Sequence, residues 1–262
     1  MSRNALKNIS RLIDVEERPA NEAFLDDLKR SIEITEEKSW TKLPSQTFKP
    51  SSMTCHRNSY YQIIGAPTDK GQASFNMVGI CNAGSDIHVR IQTAIIGMKD
   101  NSMDCEWVDI EKFIEQRGLK DLEVKSKTET ETKLYNKKYN ISFMCDGIIK
   151  YKNKYYIVEL KTETANKWYS RTGVDPKHYN QATAYSLSFK LDNVLFVYIS
   201  RDMLDMKCFM FNVTDEMRNN LVMYMENVNE YVSMHIPPPV IMENRKCQYC
   251  NYSEQCRKDG QK

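Results

Sequence analysis

No segment of this chain approaches the run of about 18 apolar residues needed to cross a bilayer. The opening stretch MSRNALKNISRLIDVEERPA also lacks the apolar core of a secretory signal. A membrane-embedded or exported protein is therefore not expected, and the chain reads as soluble and cytoplasmic, in a host's cytoplasm if the gene is viral. An excess of one charge is missing too: 37 Lys and Arg stand against 35 Asp and Glu, a formal net charge of +2. Global charge thus does not advertise a nucleic-acid binder, and any electrostatic footprint must come from local clustering. Internal repeats and low-complexity tracts are absent as well, which excludes a repeat array.

What is there is an ordinary globular balance, 41% hydrophobic and 27% charged over 262 residues, enough for one sizeable core with a small appended lobe. We divide the chain into an N-terminal arm and helix (1–50), a core (51–236) and a cysteine-bearing tail (237–262). Helical spacing of Phe24, Leu25, Leu28 and Ile32 predicts a helix over 19–38. Ser51 and Ser52 are expected to cap a helix through MTCHRNSYYQII that ends at Gly65, and a longer helix is expected over about Gln72 to Met98. A third amphipathic helix fits Cys105 to Arg117.

Beyond Gly118 the period changes from helical to alternating. Strands are expected over Glu123–Leu134, Tyr139–Tyr151 and Lys154–Lys161, the last two joined by a Lys152-Asn153 turn. Asp175-Pro176 opens another helix, followed by strands NVLFVYIS and MKCFMFNV and a helix from about Thr214 to Met234, which Pro237, Pro238 and Pro239 close. The fold class is α/β, a mixed sheet flanked by helices.

The most informative stretch is FMCDGIIKYKNKYYIVELKT. Residues two apart on a strand share a face, so Glu159 and Lys161 project together and Asp146 can join them from the neighbouring strand. Paired hard carboxylates make a Mg2+ or Mn2+ site, and a lysine beside them orients water or stabilises charge on a phosphate. YYIVELKT is apolar up to Glu159, as a buried strand would be, and a charged pair at its end is costly unless it is used.

These residues resemble the PD-(D/E)xK nuclease superfamily, specifically its RecB-like branch. Gly84-Ser-Asp-Ile-His88 looks like the helix motif whose histidine is a further metal ligand there, although Val89 stands where many relatives have an acid. Gln181-Ala-Thr-Ala-Tyr185 is similar to the branch's Q-x-x-x-Y motif, and its two polar residues share a helix face. The resemblance spans residues 84 to 185 and implies a restriction-endonuclease-like core. It assigns the metal to His88, Asp146, Glu159 and the Leu160 carbonyl, with Lys161, Gln181 and Tyr185 in the catalytic set. Glu131 is a secondary candidate, since relatives often carry a glutamate before the Asp strand and a solvated strand face explains it equally well.

Eight cysteines in a reducing compartment are poor disulfide material. Cys247-x2-Cys250-x5-Cys256 offers three thiols to a metal, with Cys55 as the candidate fourth. By spacing, zinc and a four-iron four-sulfur cluster are equal. One N-terminal cysteine with a C-terminal trio resembles the iron–sulfur nucleases related to CRISPR-associated RecB-like exonucleases and to AddB, which implies the iron–sulfur cluster at Cys55, Cys247, Cys250 and Cys256. Cys81, Cys105, Cys145 and Cys208 read as small buried hydrophobes.

Between the Glu-x-Lys strand and the Gln/Tyr helix, Lys167, Trp168, Tyr169 and Arg171 interleave cations and rings, a combination suited to single-stranded nucleic acid or to an ordinary loop. Arg57 matches a Cys-x-Arg feature of the relatives and would contact phosphate or brace the cluster. The function expected is metal-dependent exonuclease cleavage at DNA ends, in recombination, repair or fragment processing. DNA with single-stranded ends is the expected partner, alongside a partner protein or a second copy of the chain. The alternatives are a flap- or overhang-trimming endonuclease and a non-catalytic DNA- or partner-binding homologue, such as a viral interference protein.

Overall fold

The computed structural model describes residues 20–40, 46–69, 75–240, 247 and 250–260. The N-terminal arm expected over the first residues lies outside them. The chain divides into two compact units, residues 1–42 with 72–80 and residues 43–71 with 81–262. The first unit holds α1 (Ala20–Trp40), with Phe24, Leu25 and Leu28 exposed, and the start of a helix over Phe75–Ile96 whose Phe75 N–H donates to Glu33 Oε1 at 3.0 Å.

In the second unit α2 (His56–Ile63) begins after Cys55, because Pro50–Ser52 form a separate 3-10 turn and neither serine caps the helix. The helix over Phe75–Ile96, α3, carries His88. The helix expected over Cys105–Arg117 is instead a short strand, β1 (Cys105–Trp107), followed by α4 (Ile110–Gln116). The break falls at Asp109, whose carboxylate accepts the Glu111 and Lys112 N–H groups as an N-cap. β1 is held because it pairs with the strand after Asp146.

Two of the three expected strands are each split. Glu123–Leu134 becomes β2 (Leu122–Lys127) and β3 (Thr132–Asn136), separated by the polar Thr128–Glu131 turn in which Thr128 Oγ1 accepts the Glu131 N–H. Tyr139–Tyr151 becomes β4 (Ile141–Cys145) and β5 (Gly147–Tyr151), with Asp146 in neither. The chain leaves one sheet for another at this point: β2-β3-β4 form an antiparallel three-stranded sheet, while β5 enters the five-stranded one. Gly147 is needed at the crossing, since a Cβ there would lie 2.2 Å from the Trp107 ring.

The five-stranded sheet has the order β1-β5-β6-β7-β8, with β6 (Lys154–Glu163), β7 (Asn193–Ser200) and β8 (Met206–Asn212). Only β6 and β7 run parallel. The β5–β6 turn is the expected Lys152-Asn153, both at positive φ, as a two-residue hairpin requires. The long crossover between β6 and β7 contains α5 (Ala165–Tyr169), a Pro176–His178 3-10 turn capped by Asp175, and α6 (Tyr179–Phe189). After β8 come α7 (Asp215–Met234), capped by Thr214, and α8 (Ser253–Gly260).

Strand alternation divides the core. Ile157, Val194, Phe196 and Tyr198 pack with Ala182, Tyr185 and Phe189 of α6 and Leu221 and Met225 of α7. Val158, Leu160 and Ile199 pack on the other face with Ile87, Ile91 and Ile95 of α3. This is a mixed α/β fold with a central mixed sheet between helices, and no described helix is long and apolar enough to cross a membrane.

Candidate active site

Pairing of β5 with β6 stops at Gly147 and Val158, because the chain turns away at Asp146. From Glu159 onward, β6 has no β5 residue beside it. The Asp146 carboxylate takes that place, its Oδ2 accepting the Leu160 N–H at 2.7 Å. Its other oxygen, Oδ1, lies 3.5 Å from Nδ1 of His88. One carboxylate at a break in the sheet thus touches both the central strand and the helix on its outer face.

Glu159 and Lys161 lie on the opposite face, toward α6. Lys161 Nζ donates to Glu159 Oε1 at 2.5 Å and to Gln181 Oε1 at 3.0 Å, and Gln181 Nε2 donates to the same Glu159 oxygen at 2.6 Å. Gln181 Nε2 also donates to Tyr185 Oη at 2.8 Å, and Tyr185 Oη donates to the Met144 carbonyl at 2.8 Å, just before Asp146. The structure therefore closes Glu159, Lys161 and Gln181 into one ring of hydrogen bonds, from which Tyr185 branches to the Met144 carbonyl. Tyr185 is held as a phenol, its pKa raised by burial and by the charges of Glu159 and Asp146.

Glu159 is 3% exposed, and its Oε2 is buried with no partner among the described residues. Burial, with the Asp146 charge added, raises its carboxyl pKa against the pull of the Lys161 ammonium. Burial opposes charging His88, but the hydrogen bond and charge of Asp146 outweigh it and raise the imidazole pKa. Glu131, at the end of the β2–β3 turn, is raised by burial and by Asp146.

Ligand atoms of His88, Glu131 and Asp146 lie within 4.8 Å of one another. Their donors are carboxylate oxygen and imidazole nitrogen, which suit a divalent cation such as Mg2+ or Mn2+. Glu159 adds a buried carboxylate oxygen with no partner among the described residues. The residues therefore fit the cation. Glu131, only secondary in the sequence, sits in this group; the acidic run TETE around it hid which carboxylate turns inward.

The remaining expected contacts separate. The Arg171 side chain is 8% exposed, donating to both Glu163 oxygens at 2.7 and 2.9 Å and lying 4.1 Å over the Tyr198 ring. Trp168 is buried and donates to the Tyr198 carbonyl at 3.0 Å. Both are built into the fold. Lys167 bridges Glu163 and Asp175 at its half-exposed end, and Tyr169 is 62% exposed.

The four candidate cluster cysteines are free thiols. Asn58 Nδ2 donates to Cys250 Sγ at 3.3 Å, the Cys250 N–H to the Cys247 carbonyl at 3.2 Å, and Arg57 Nη2 to the Cys256 carbonyl at 3.3 Å. Burial raises the Cys256 thiol pKa, Arg57 opposes it, and Cys55, Cys250 and Cys247 add to it. The start of α2 and the C-terminal trio thus lie within electrostatic reach of one another. Arg57 is buried among Tyr61, Cys256 and neighbouring groups.

No family model matches this sequence, and no curated protein matches it. Among solved structures the chain is similar to SSO0001, at 18% identity over 90% of this chain and 97% of that one, with a TM-score of 0.47. It is also similar to an alkaline exonuclease, LHK-Exo from Laribacter hongkongensis, at 9% identity over 73% of this chain and 90% of that one, with a TM-score of 0.46. LHK-Exo in complex with dAMP gives 10% identity over 72% and 89%, with a TM-score of 0.44.

Proposed function

We propose that this chain is a metal-dependent deoxyribonuclease of the PD-(D/E)xK type, acting at DNA ends. One observation carries the reading: a buried carboxylate with an unpartnered oxygen, Glu159, is tied to Lys161 and Gln181 at the sheet opening that Asp146 occupies. Its second oxygen is buried without a partner among the described residues, which is costly unless a cation, a substrate or a proton completes it.

His88, Asp146, Glu131 and Glu159, with the Leu160 carbonyl, would hold a Mg2+ or Mn2+ ion, which supplies Lewis acidity toward a phosphodiester. The reaction is hydrolysis: water adds to phosphorus, the ester P–O bond breaks, and the leaving oxygen takes a proton. Lys161 is the group beside the carboxylates that orients the water and stabilises charge on the phosphate. Gln181 fixes the Lys161 ammonium through its carbonyl and Glu159 through its amide, so the lysine faces the phosphate in one orientation. Tyr185 ties that helix to the segment entering Asp146. Tyr169 and Lys167 are the solvent-facing candidates for the strand being cleaved.

Cys55, Cys247, Cys250 and Cys256 would hold a four-iron four-sulfur cluster that staples the start of α2 to the C-terminal tail. In support, none of the four thiols is in a disulfide, and Cys55, Cys250 and Cys247 each add to the rise in the Cys256 thiol pKa, although among the described residues no three of them have sulfurs within 4.8 Å of one another.

The test is anaerobic incubation with linear and circular DNA, labelled at either end, and with RNA, each with Mn2+, Mg2+ or chelator. Stepwise shortening of linear DNA only, dependent on metal, is expected. Cleavage of circles would make it an endonuclease, and binding without cleavage of any substrate would leave a non-catalytic binder.

A further inference from the structure

Gln92 lies one helical turn after His88 on α3, on the same helix face, and is completely buried. Its Nε2 donates to the Asp146 carbonyl at 2.8 Å and to the Thr130 carbonyl at 3.2 Å. Both carbonyls sit where a strand is interrupted: Asp146 between β4 and β5, Thr130 in the turn between β2 and β3, immediately before Glu131. One carboxamide therefore joins three segments, and each segment carries one member of the His88, Glu131 and Asp146 group.

The orientation of the amide is fixed by its partners. Two carbonyl oxygens demand two N–H donors, so the nitrogen must face them, and the Gln92 Oε1 is left buried and unpartnered. A methionine would fill the same space without burying an unpaired oxygen. The position uses the donor end, at the expense of the acceptor.

We propose that Gln92 is a positioning residue that sets the spacing of Glu131 and Asp146 about His88 and so governs affinity for the divalent cation. It touches neither substrate nor reacting atoms, so its effect is on metal affinity rather than on the chemical step. This rests on the metal-dependent reading above, and deepens it by naming what holds the ligand group together.

The test is a Mn2+ titration of wild type, Gln92→Met, Gln92→Glu and Gln92→Leu, read by DNA cleavage and, independently, by calorimetric binding to the metal-stripped protein. Gln92→Glu keeps the shape but can retain one donor as a neutral acid or add a charge beside the metal ligands, so a third variant, Gln92→Leu, which removes the donor without adding charge, carries the test if Gln92→Met folds poorly. Gln92→Met and Gln92→Leu should need about 10- to 100-fold more Mn2+ for half-saturation, the range expected when a group supporting a metal ligand is lost. At saturating Mn2+ their kcat, and their KM for DNA, should stay close to wild type. A wild-type Mn2+ titration in folded Gln92→Met or Gln92→Leu overturns the proposal, as does a fall in kcat that saturating Mn2+ does not restore. Wild type that binds Mn2+ but cleaves nothing would defeat the nuclease reading, while the calorimetric arm still decides the role of Gln92. Wild type that neither binds nor cleaves defeats both.

Discussion

Glu159 is a residue-scale conflict. It is almost wholly buried, shares one oxygen between Lys161 and Gln181, and leaves the other without a partner. Glu159→Gln removes the buried charge and keeps an acceptor for Lys161. In chelator it should therefore melt no lower than wild type. A cation at 100 times its dissociation constant adds about 2.7 kcal/mol to a folded state, which for a chain of this size is roughly 5–10 °C. Wild type should show that rise with Mn2+, and Glu159→Gln should lose most of it; differential scanning fluorimetry reads both. Tyr169 offers a separate residue-scale outcome: Tyr169→Ala should weaken single-stranded DNA binding by about 1–3 kcal/mol with no change in melting, as loss of a solvent-facing stacking ring does.

At the scale of elements, the end of β6 is tied to the crossover by Glu163, Arg171 and Asp175. The Arg171 side chain, 8% exposed, is the main partner of buried Glu163, so Arg171→Ala leaves Glu163 charged with only the half-exposed Lys167 ammonium 3.8 Å away and should destabilise by about 3 kcal/mol, visible as a lower urea midpoint. Asp175 is opposed by burial but is held at about 2 by the Lys177 N–H and the Lys177 and Lys167 ammoniums. A carboxyl lowered in the fold stabilises above its unfolded value and loses that share as pH falls. Wild type should therefore lose stability from about pH 4 toward pH 2. Asp175→Asn should lack that share of the loss when urea midpoints are compared across this window.

The elements also show what the sequence discloses. β7 and α7 were legible because their apolar periods are uninterrupted; strand spacing puts Glu159 and Lys161 on one face, whereas Gln181 and Tyr185 stood out only through the resemblance to the Q-x-x-x-Y motif, since a pair at that helix spacing is commonplace. The breaks at Asp109, at Thr128–Glu131 and at Asp146 were not legible. Alternation continues through them, and only pairing with a distant strand decides where each strand stops. Gln92 was illegible for the same reason: its partners are backbone carbonyls exposed by two of those breaks. Arg171 and Trp168 read equally well as ligand contacts or loop anchors, since composition cannot tell which way a side chain turns.

At the scale of the whole molecule, the proposed cluster joins Cys55 to the tail across most of the chain. Closing a loop of that length restricts the unfolded state, by roughly 5 kcal/mol if a disulfide closing a comparable loop is the guide. Cys55→Ser and Cys256→Ser should each yield colourless protein with lost iron and a lower melting temperature. Cys81→Ser, on an exposed face of α3, should leave iron content and melting unchanged. Iron analysis and visible absorbance of anaerobically purified protein make the comparison.

The measurement that bears most directly on the account is cleavage of end-labelled DNA in Mn2+ by wild type and Lys161→Ala, with Mn2+ binding measured on the same samples. Lys161 is the group assigned to the chemistry and to no metal bond, so Lys161→Ala should still bind Mn2+ while cleavage falls by a factor of about 100 or more. Equal cleavage by wild type and Lys161→Ala, or no cleavage by Mn2+-loaded wild type, would contradict the assignment of this site as a nuclease centre.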